Sequence, residues 1–165
     1  GSMRLDALSQ WPSGGNPIIL VARHIPGDRM RFTTAHELGH LVMHTIPTEN
    51  QEREADEFAA EFLMPAKDIR GQLSDLSIPK LAALKQHWQV SMAALLRRGR
   101  DLGTISERQY KSMSIEMSKS GFRLHEPAPV EREQFTPAIP SSLPSPVEEF
   151  LASLGIGPSR QEINP

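Results

Sequence analysis

Two histidines one helical turn apart, with a glutamate between them, most constrain what this chain can fold into. His36, Glu37 and His40 lie in the run FTTAHELGHLVMH, which no proline interrupts. One turn of helix rises ~5.4 Å, so both imidazoles can reach a single zinc ion from the same helix face. Glu37 lies beside that site, where it can take a proton from a water that the metal activates. The pattern therefore predicts a helix that carries two zinc ligands and a catalytic glutamate.

The residues around the motif predict where this helix begins and how it packs. Thr33 and Thr34 are the expected N-caps. Gly39 costs a helix ~1 kcal/mol relative to alanine, which indicates that another element packs closely at that point. The alternative is a surface helix with two solvated histidines. We prefer a buried helix because apolar residues surround the motif, namely Phe32, Ala35, Leu38, Leu41, Val42 and Met43.

The third zinc ligand is expected from the following segment, EREADEFAAEFLMP. Its apolar residues recur with helical spacing and form one stripe: Ala55, Phe58, Ala59, Phe62 and Leu63. At ~100° per residue, Glu52 lies ~50° from the centre of that stripe, whereas the other glutamates lie more than ~100° away. Glu52 is therefore the predicted third ligand and Glu54 the reserve. Asp56, one turn further along, is expected to accept the free N–H of a ligating histidine.

His44 ends the same run of residues but lies ~12 Å along the helix from His36, too far to share one ion. Two interpretations stay open and equal. His44 either lines the cleft and hydrogen-bonds substrate, or caps the C-terminus of the helix. It is also one candidate for the second donor to the oxyanion that develops during hydrolysis. His87, His125 and Tyr110 are the others, and the sequence does not choose among them.

These motifs together resemble a known family. H-E-x-x-H followed by E-x-x-x-D is the layout of thermolysin-like zinc peptidases. Residues 28–65 closely resemble the ImmA/IrrE family of metallopeptidases, and the similarity continues through SIPKLAALKQHWQVSMAALLRRGRDLGTISERQY to GFRLHEP, about residues 16–127 in all. The resemblance implies that His36, His40 and Glu52 hold one zinc ion per chain and that Glu37 is catalytic. Asp56 stands where many members carry Asn.

The resemblance also implies a substrate. Members of this family resemble endopeptidases that cut helix-turn-helix repressors and so relieve repression after stress or during mobile-element transfer. We therefore expect a protein substrate, an XRE-type helix-turn-helix repressor, for this chain. The same resemblance implies that a DNA-binding domain often lies upstream. The alternative from another class is a non-catalytic regulatory module that binds protein or DNA and has a structural or vestigial metal site. A zinc hydrolase of non-peptide amides is a third interpretation, because ligands alone do not determine the substrate.

The predicted fold is α+β and mostly helical. Residues 4–78 form a minimal zincin-like metallopeptidase core, in which a small sheet lies beside the metal helix and a second ligand-bearing helix. Residues 18–22 are the predicted strand, which either pairs with extended substrate or only covers the metal helix; residues 4–10 are helix or strand. Residues 127–165 are a proline-rich tail with a short helix near 146–154. Residues 1–3 resemble a cloning scar.

Residues 79–126 are a helical section whose rhythm resembles a helix-turn-helix. Ser91 and Ser106 are the expected N-caps of its last two helices. Three arginines could contact phosphates: Arg97, Arg98 and Arg100. However, Met92 and its two alanine neighbours stand where base-reading residues would be, and they fit packing better. We therefore favour packing or repressor docking over DNA contact for this section.

Composition narrows the remaining function classes. A net charge of −2 provides no overall attraction to nucleic acid or to a membrane surface. The lack of cysteine excludes a disulfide framework, a thiol nucleophile and a cysteine-ligated zinc. Neither a signal peptide nor an apolar run of about 18 residues is present, so we expect a cytoplasmic protein without a membrane partner.

Overall fold

A two-stranded antiparallel sheet precedes a series of helices in the computed structural model, which describes residues 6–12, 15–44, 46, 48–122 and 125–132. Strand β1 (Ala7–Gln10) pairs with β2 (Ile18–Val21), and Ser9 lies opposite Ile19. Residues 7–10, part of the segment that the sequence left undecided between helix and strand, are therefore a strand. The α+β, mostly helical prediction is confirmed. Residues 1–3 and the helix predicted near 146–154 lie outside the described residues.

Helix α1 (Gly27–Met43) carries the histidine motif and begins earlier than expected. The prediction of N-caps at Thr33 and Thr34 is wrong, because the Thr34 hydroxyl donates to the Met30 carbonyl within the helix, at 2.8 Å. Pro26 is the N-cap residue, without a side-chain cap. A Cβ on Gly27 would lie 2.7 Å from the carbonyl oxygen of Val130, so only glycine fits there. The choice of residue at the first position of α1 is thus constrained by a distant part of the chain.

Helix α2 (Gln51–Leu63) packs directly on α1. A Cβ on Gly39 would lie 3.1 Å from the Phe58 ring and 3.3 Å from the Ala55 Cα, which confirms the close contact expected at this glycine. Ala55 is fully buried. Phe62, at the far end of the predicted stripe, is 59% exposed, so the stripe faces the core only in part.

Burial of α1 is also confined to one side. Met30, Ala35 and Gly39 are buried, whereas Val42 and Met43 near the C-terminus are exposed. The expectation of a helix buried on most sides is therefore wrong. Because the motif lies on a helix with one buried side, its histidines are partly exposed, with side chains 17–18% accessible.

The helical section begins after a short α3 (Ala66–Ile69) and a 3-10 turn (Arg70–Gln72). It consists of α4 (Ile78–Trp88), α5 (Met92–Asp101) and α6 (Glu107–Lys119). Both expected caps are present: the Ser91 hydroxyl accepts from the Ala94 amide, and Ser106 forms a full capping box with Gln109. The main core lies under these helices, and its largest fully buried members include Met64, Ile69, Leu73, Leu81, Met92 and Leu95.

Residues 125–132 return across the fold, and we call them the C-terminal strap. The Glu126 carboxylate accepts from the backbone N–H groups of Met92 and Ala93, at 2.8 and 3.1 Å, and so caps the start of α5. Gln86 of α4 donates to the Ala128 carbonyl at 2.8 Å. Val130 is buried. The first described residues of the proline-rich segment are therefore packed on the domain.

A buried ion cluster joins the strap to α1 and α4. Lys85 donates to Asp28 at 2.7 Å and to Glu126 at 2.8 Å, and both Lys85 and Asp28 are buried. Burial lowers the pKa of Lys85, but the hydrogen bonds to the two carboxylates outweigh it, and the net shift is upward.

Among the described residues, no helix has the length and apolar character needed to span a bilayer.

Candidate metal centre

Three predicted ligands meet at the contact between α1 and α2. The Nε2 atoms of His36 and His40 lie 3.0 Å apart. The two carboxylate oxygens of Glu52 lie 3.4 Å from His36 Nε2 and 3.5 Å from His40 Nε2. One donor atom from each residue fits within 4.8 Å of the others. The Glu52 side chain is 72% exposed, so the cluster opens to solvent on the side of α2.

Asp56 lies behind His36. Its Oδ1 atom is 2.9 Å from His36 Nδ1, and its Oδ2 atom accepts from Arg97 of α5 at 3.2 Å. The hydrogen bond to Asp56 raises the pKa of His36. In return, the hydrogen bond to His36 and then the Arg97 charge lower the pKa of Asp56. A carboxylate only accepts, so this contact orients His36 with its Nε2 lone pair towards His40 and Glu52.

His44 lies behind His40 instead of facing the cleft. Its Nδ1 atom is 3.0 Å from His40 Nδ1, and its Nε2 atom is 2.9 Å from Glu54 Oε2. The side chain is 5% exposed. His44 is also the C-cap residue of α1, through its backbone N–H to the His40 carbonyl. Glu54, the reserve ligand, is thereby directed to His44 and away from the three-residue cluster.

Glu37 has a partner that sequence reasoning missed. The Ser9 hydroxyl, on β1, donates to Glu37 Oε2 at 2.5 Å. No local signal marks Ser9, because its position depends on the packing of β1 against α1. Glu37 therefore has one carboxylate oxygen held by the sheet.

A cleft of about 850 Å³ runs alongside Glu37. His36 and Glu37 line it from α1, and Arg97 and Tyr110 line it from the helical section. The strap contributes His125, so two of the candidate oxyanion donors border this space, whereas His44 and His87 do not. The sheet contributes Ala7 of β1, and no residue of β2, the strand considered for substrate pairing, lines the cleft.

A family model described as the IrrE N-terminal-like domain, Peptidase_M78, matches residues 1–99. The chain belongs to this family. The match includes the sheet, α1, α2 and most of α5, so it supports a metallopeptidase-like domain built around the histidine motif. No curated protein matches the chain.

The donors of this Peptidase_M78 member fit a zinc ion. Two imidazoles and one carboxylate are a known set of protein ligands for catalytic zinc. The Nδ1 atoms of His36 and His40 contact Asp56 and His44, respectively. The Nε2 atoms, which face Glu52, are therefore the ones that can bind an ion. Glu52 brings its carboxylate to both of them from the second helix.

The arginines that could have contacted phosphates are engaged within the Peptidase_M78 domain and its helical section. Arg97 binds Asp56, and Arg98 is buried and donates to Glu61 and to the Met64 carbonyl. Arg100 pairs with Asp101 and lies 4.4 Å from the centre of the Tyr110 ring. Glu126 covers the start of α5, where a recognition helix would meet bases. This favours packing over DNA contact.

Proposed function

We propose that this protein is a zinc-dependent endopeptidase whose metal is held by His36, His40 and Glu52. The observation that carries the proposal is the convergence of these three side chains beside Glu37, with donor atoms within 4.8 Å of one another. Zinc at such a site activates water and polarises the scissile carbonyl. Membership of a peptidase family makes a protein the expected substrate class.

Glu37 acts as the general base in this proposal. Ser9 holds its Oε2 atom, so Oε1 can accept the proton of the attacking water and pass it to the leaving amine. Tyr110 and His125 remain the proposed candidates for the second oxyanion donor, because both line the cleft. Asp56 keeps His36 oriented and takes no part in proton transfer.

The substrate we propose is an XRE-type helix-turn-helix repressor, which places the activity in the cytoplasm. The support is the family resemblance of residues 16–127. Residues 4–78 form the catalytic core in this proposal. Residues 79–126 close one side of the cleft through Arg97 and Tyr110. The tail from residue 127 begins within the strap, where the Ala128 carbonyl accepts from Gln86 of α4.

Metal content and cleavage test the proposal together. Zinc is measured by elemental analysis in the wild type, Glu52→Ala and Glu57→Ala, and cleavage is followed with a quenched fluorogenic peptide library. Glu57 is the matched control, because it lies exposed on the same helix and pairs with Arg53. We expect stoichiometric zinc in the wild type and the control, and a sharp loss in Glu52→Ala.

Substitution of the base separates binding from catalysis. Glu37→Gln should keep its zinc and lose cleavage, since an amide cannot accept the proton. A Glu37→Gln protein that still cleaves would refute the mechanism. The non-catalytic alternative predicts a wild-type protein that binds zinc and cleaves neither the library nor a purified repressor.

A further inference from the structure

We propose that His44 and Glu54 are positioning residues that hold His40 in the tautomer and orientation needed to bind zinc. The proposal rests on the zinc site of the proposed function. Its basis is a continuous series of contacts: His40 Nδ1 to His44 Nδ1 at 3.0 Å, and His44 Nε2 to Glu54 Oε2 at 2.9 Å.

When both imidazoles are neutral, only one placement of their N–H protons makes both contacts hydrogen bonds. The Glu54 carboxylate can only accept, so the single N–H of a neutral His44 lies on Nε2. His44 Nδ1 is then a lone pair and accepts the N–H of His40 Nδ1. The lone pair of His40 is thereby assigned to Nε2, the atom that faces His36 and Glu52. Glu54 thus determines which nitrogen of His40 is available to a metal.

Burial indicates that this arrangement is built into the fold. The His44 side chain is 5% exposed, and its polar ring at this depth needs both of its contacts. Glu54 is 43% exposed and reaches inward from α2. A substrate-binding histidine would be expected to line the cleft, and His44 does not.

The two ligating histidines are therefore supported in different ways. His36 contacts the carboxylate of Asp56 directly, whereas His40 reaches a carboxylate only through a second imidazole. Glu54 and Asp56 both belong to α2, the helix that also supplies Glu52. The packing of α2 on α1 thus brings Glu52 to the site and also places the two carboxylates that orient His36 and His40.

Zinc affinity of five variants, three tests and two controls, examines the proposal by competition with a chromophoric chelator. His44→Leu and Glu54→Ala should each weaken zinc binding by about 10–100-fold, as expected when a hydrogen-bonded partner of a ligand is lost. His44→Asn should recover most of the affinity, because its amide oxygen can accept from His40. Glu57→Ala and His87→Leu, which change exposed residues outside this series, should match the wild type.

Nitrogen-15 spectra of the histidine rings give a readout that needs neither zinc nor activity. In the metal-free wild type, His44 should carry its proton on Nε2, and Glu54→Ala should remove this preference. A folded Glu54→Ala protein with wild-type zinc affinity and an unchanged His44 tautomer would overturn the proposal while leaving the zinc site intact. A wild type that binds no zinc would instead overturn the proposed function, and His44 would then have no metal ligand to position. Circular dichroism verifies that each variant folds.

Discussion

Removal of the Asp56 carboxylate should weaken zinc binding by about 10–100-fold without unfolding the protein. Asp56 makes a charge-assisted hydrogen bond to His36 through one oxygen and binds Arg97 through the other. A hydrogen bond to a charged group contributes about 1.5–3 kcal/mol. At about 1.4 kcal/mol per factor of ten, this corresponds to roughly 10–150-fold in affinity. Because Asp56 is only partly buried, we expect the lower half of this range for Asp56→Ala.

Two further variants divide this effect between the partners of Asp56. Asp56→Asn keeps an oxygen that can accept a hydrogen bond from His36, so it should lose less zinc affinity than Asp56→Ala. Arg97→Met removes the half-exposed ion pair with Asp56 and a longer one with Asp101. Because an exposed pair contributes about 0–1 kcal/mol and the pair with Asp101 lies away from the histidines, zinc affinity should fall by less than about fivefold. Zinc affinity is measured by chelator competition, with Glu57→Gln as the control. An Asp56→Ala protein that binds zinc as tightly as the wild type would contradict this prediction. So would an Arg97→Met protein that loses as much zinc affinity as Asp56→Ala.

Three further predictions follow from the packing around the site. Gly39→Val should lower the free energy of unfolding in urea by about 1–3 kcal/mol and weaken zinc binding, because the valine side chain would separate α1 from α2. Gly71→Ala is the control, because a Cβ there meets nothing within 4 Å. Lys85→Met should cost about 3–5 kcal/mol, because it leaves two carboxylates without their shared cation. The pKa of Lys85 is raised above its ordinary 10.5 in the folded protein. The stability difference between wild type and Lys85→Met should therefore be constant from neutral pH to about 10 and disappear only as pH rises through the higher folded pKa. A stability difference already lost at pH 9 would contradict this. Ser9→Ala should lower kcat while zinc content stays unchanged, because it frees one oxygen of Glu37; loss of zinc in this variant would assign Ser9 a structural role.

Features that depend on short stretches of sequence were predictable. The angular position of Glu52 relative to the stripe on α2 places its carboxylate near both histidines, and the same geometry brings Asp56 to the outer nitrogen of His36. Ser91 and Ser106 are recognised as caps because the groups they satisfy lie within three residues. Helical periodicity carries this information without knowledge of the rest of the fold.

The features that were missed depend on contacts between distant segments. Ser9 reaches Glu37 only because β1 packs against α1, and residue 27 must be glycine because the strap leaves no room for a Cβ. Arg97 was considered for phosphate binding, since a charged residue on a predicted helix does not reveal its partner. Most of the strap belongs to the proline-rich tail, whose composition gave no sign of contacts with the domain.

The contact between Arg97 and Asp56 joins the helical section to the proposed metal site. Arg97 comes from α5, whose start is held by Glu126 of the strap, and Glu126 also binds the buried Lys85 of α4. Asp28, the other partner of Lys85, lies in the first turn of α1, the helix that carries the ligands. Two sets of contacts therefore join α1 to the helical section, one through Asp56 beside His36 and one through the buried Lys85. Both sets of contacts border the same cleft, so α1, α2, the helical section and the strap all contribute to its walls.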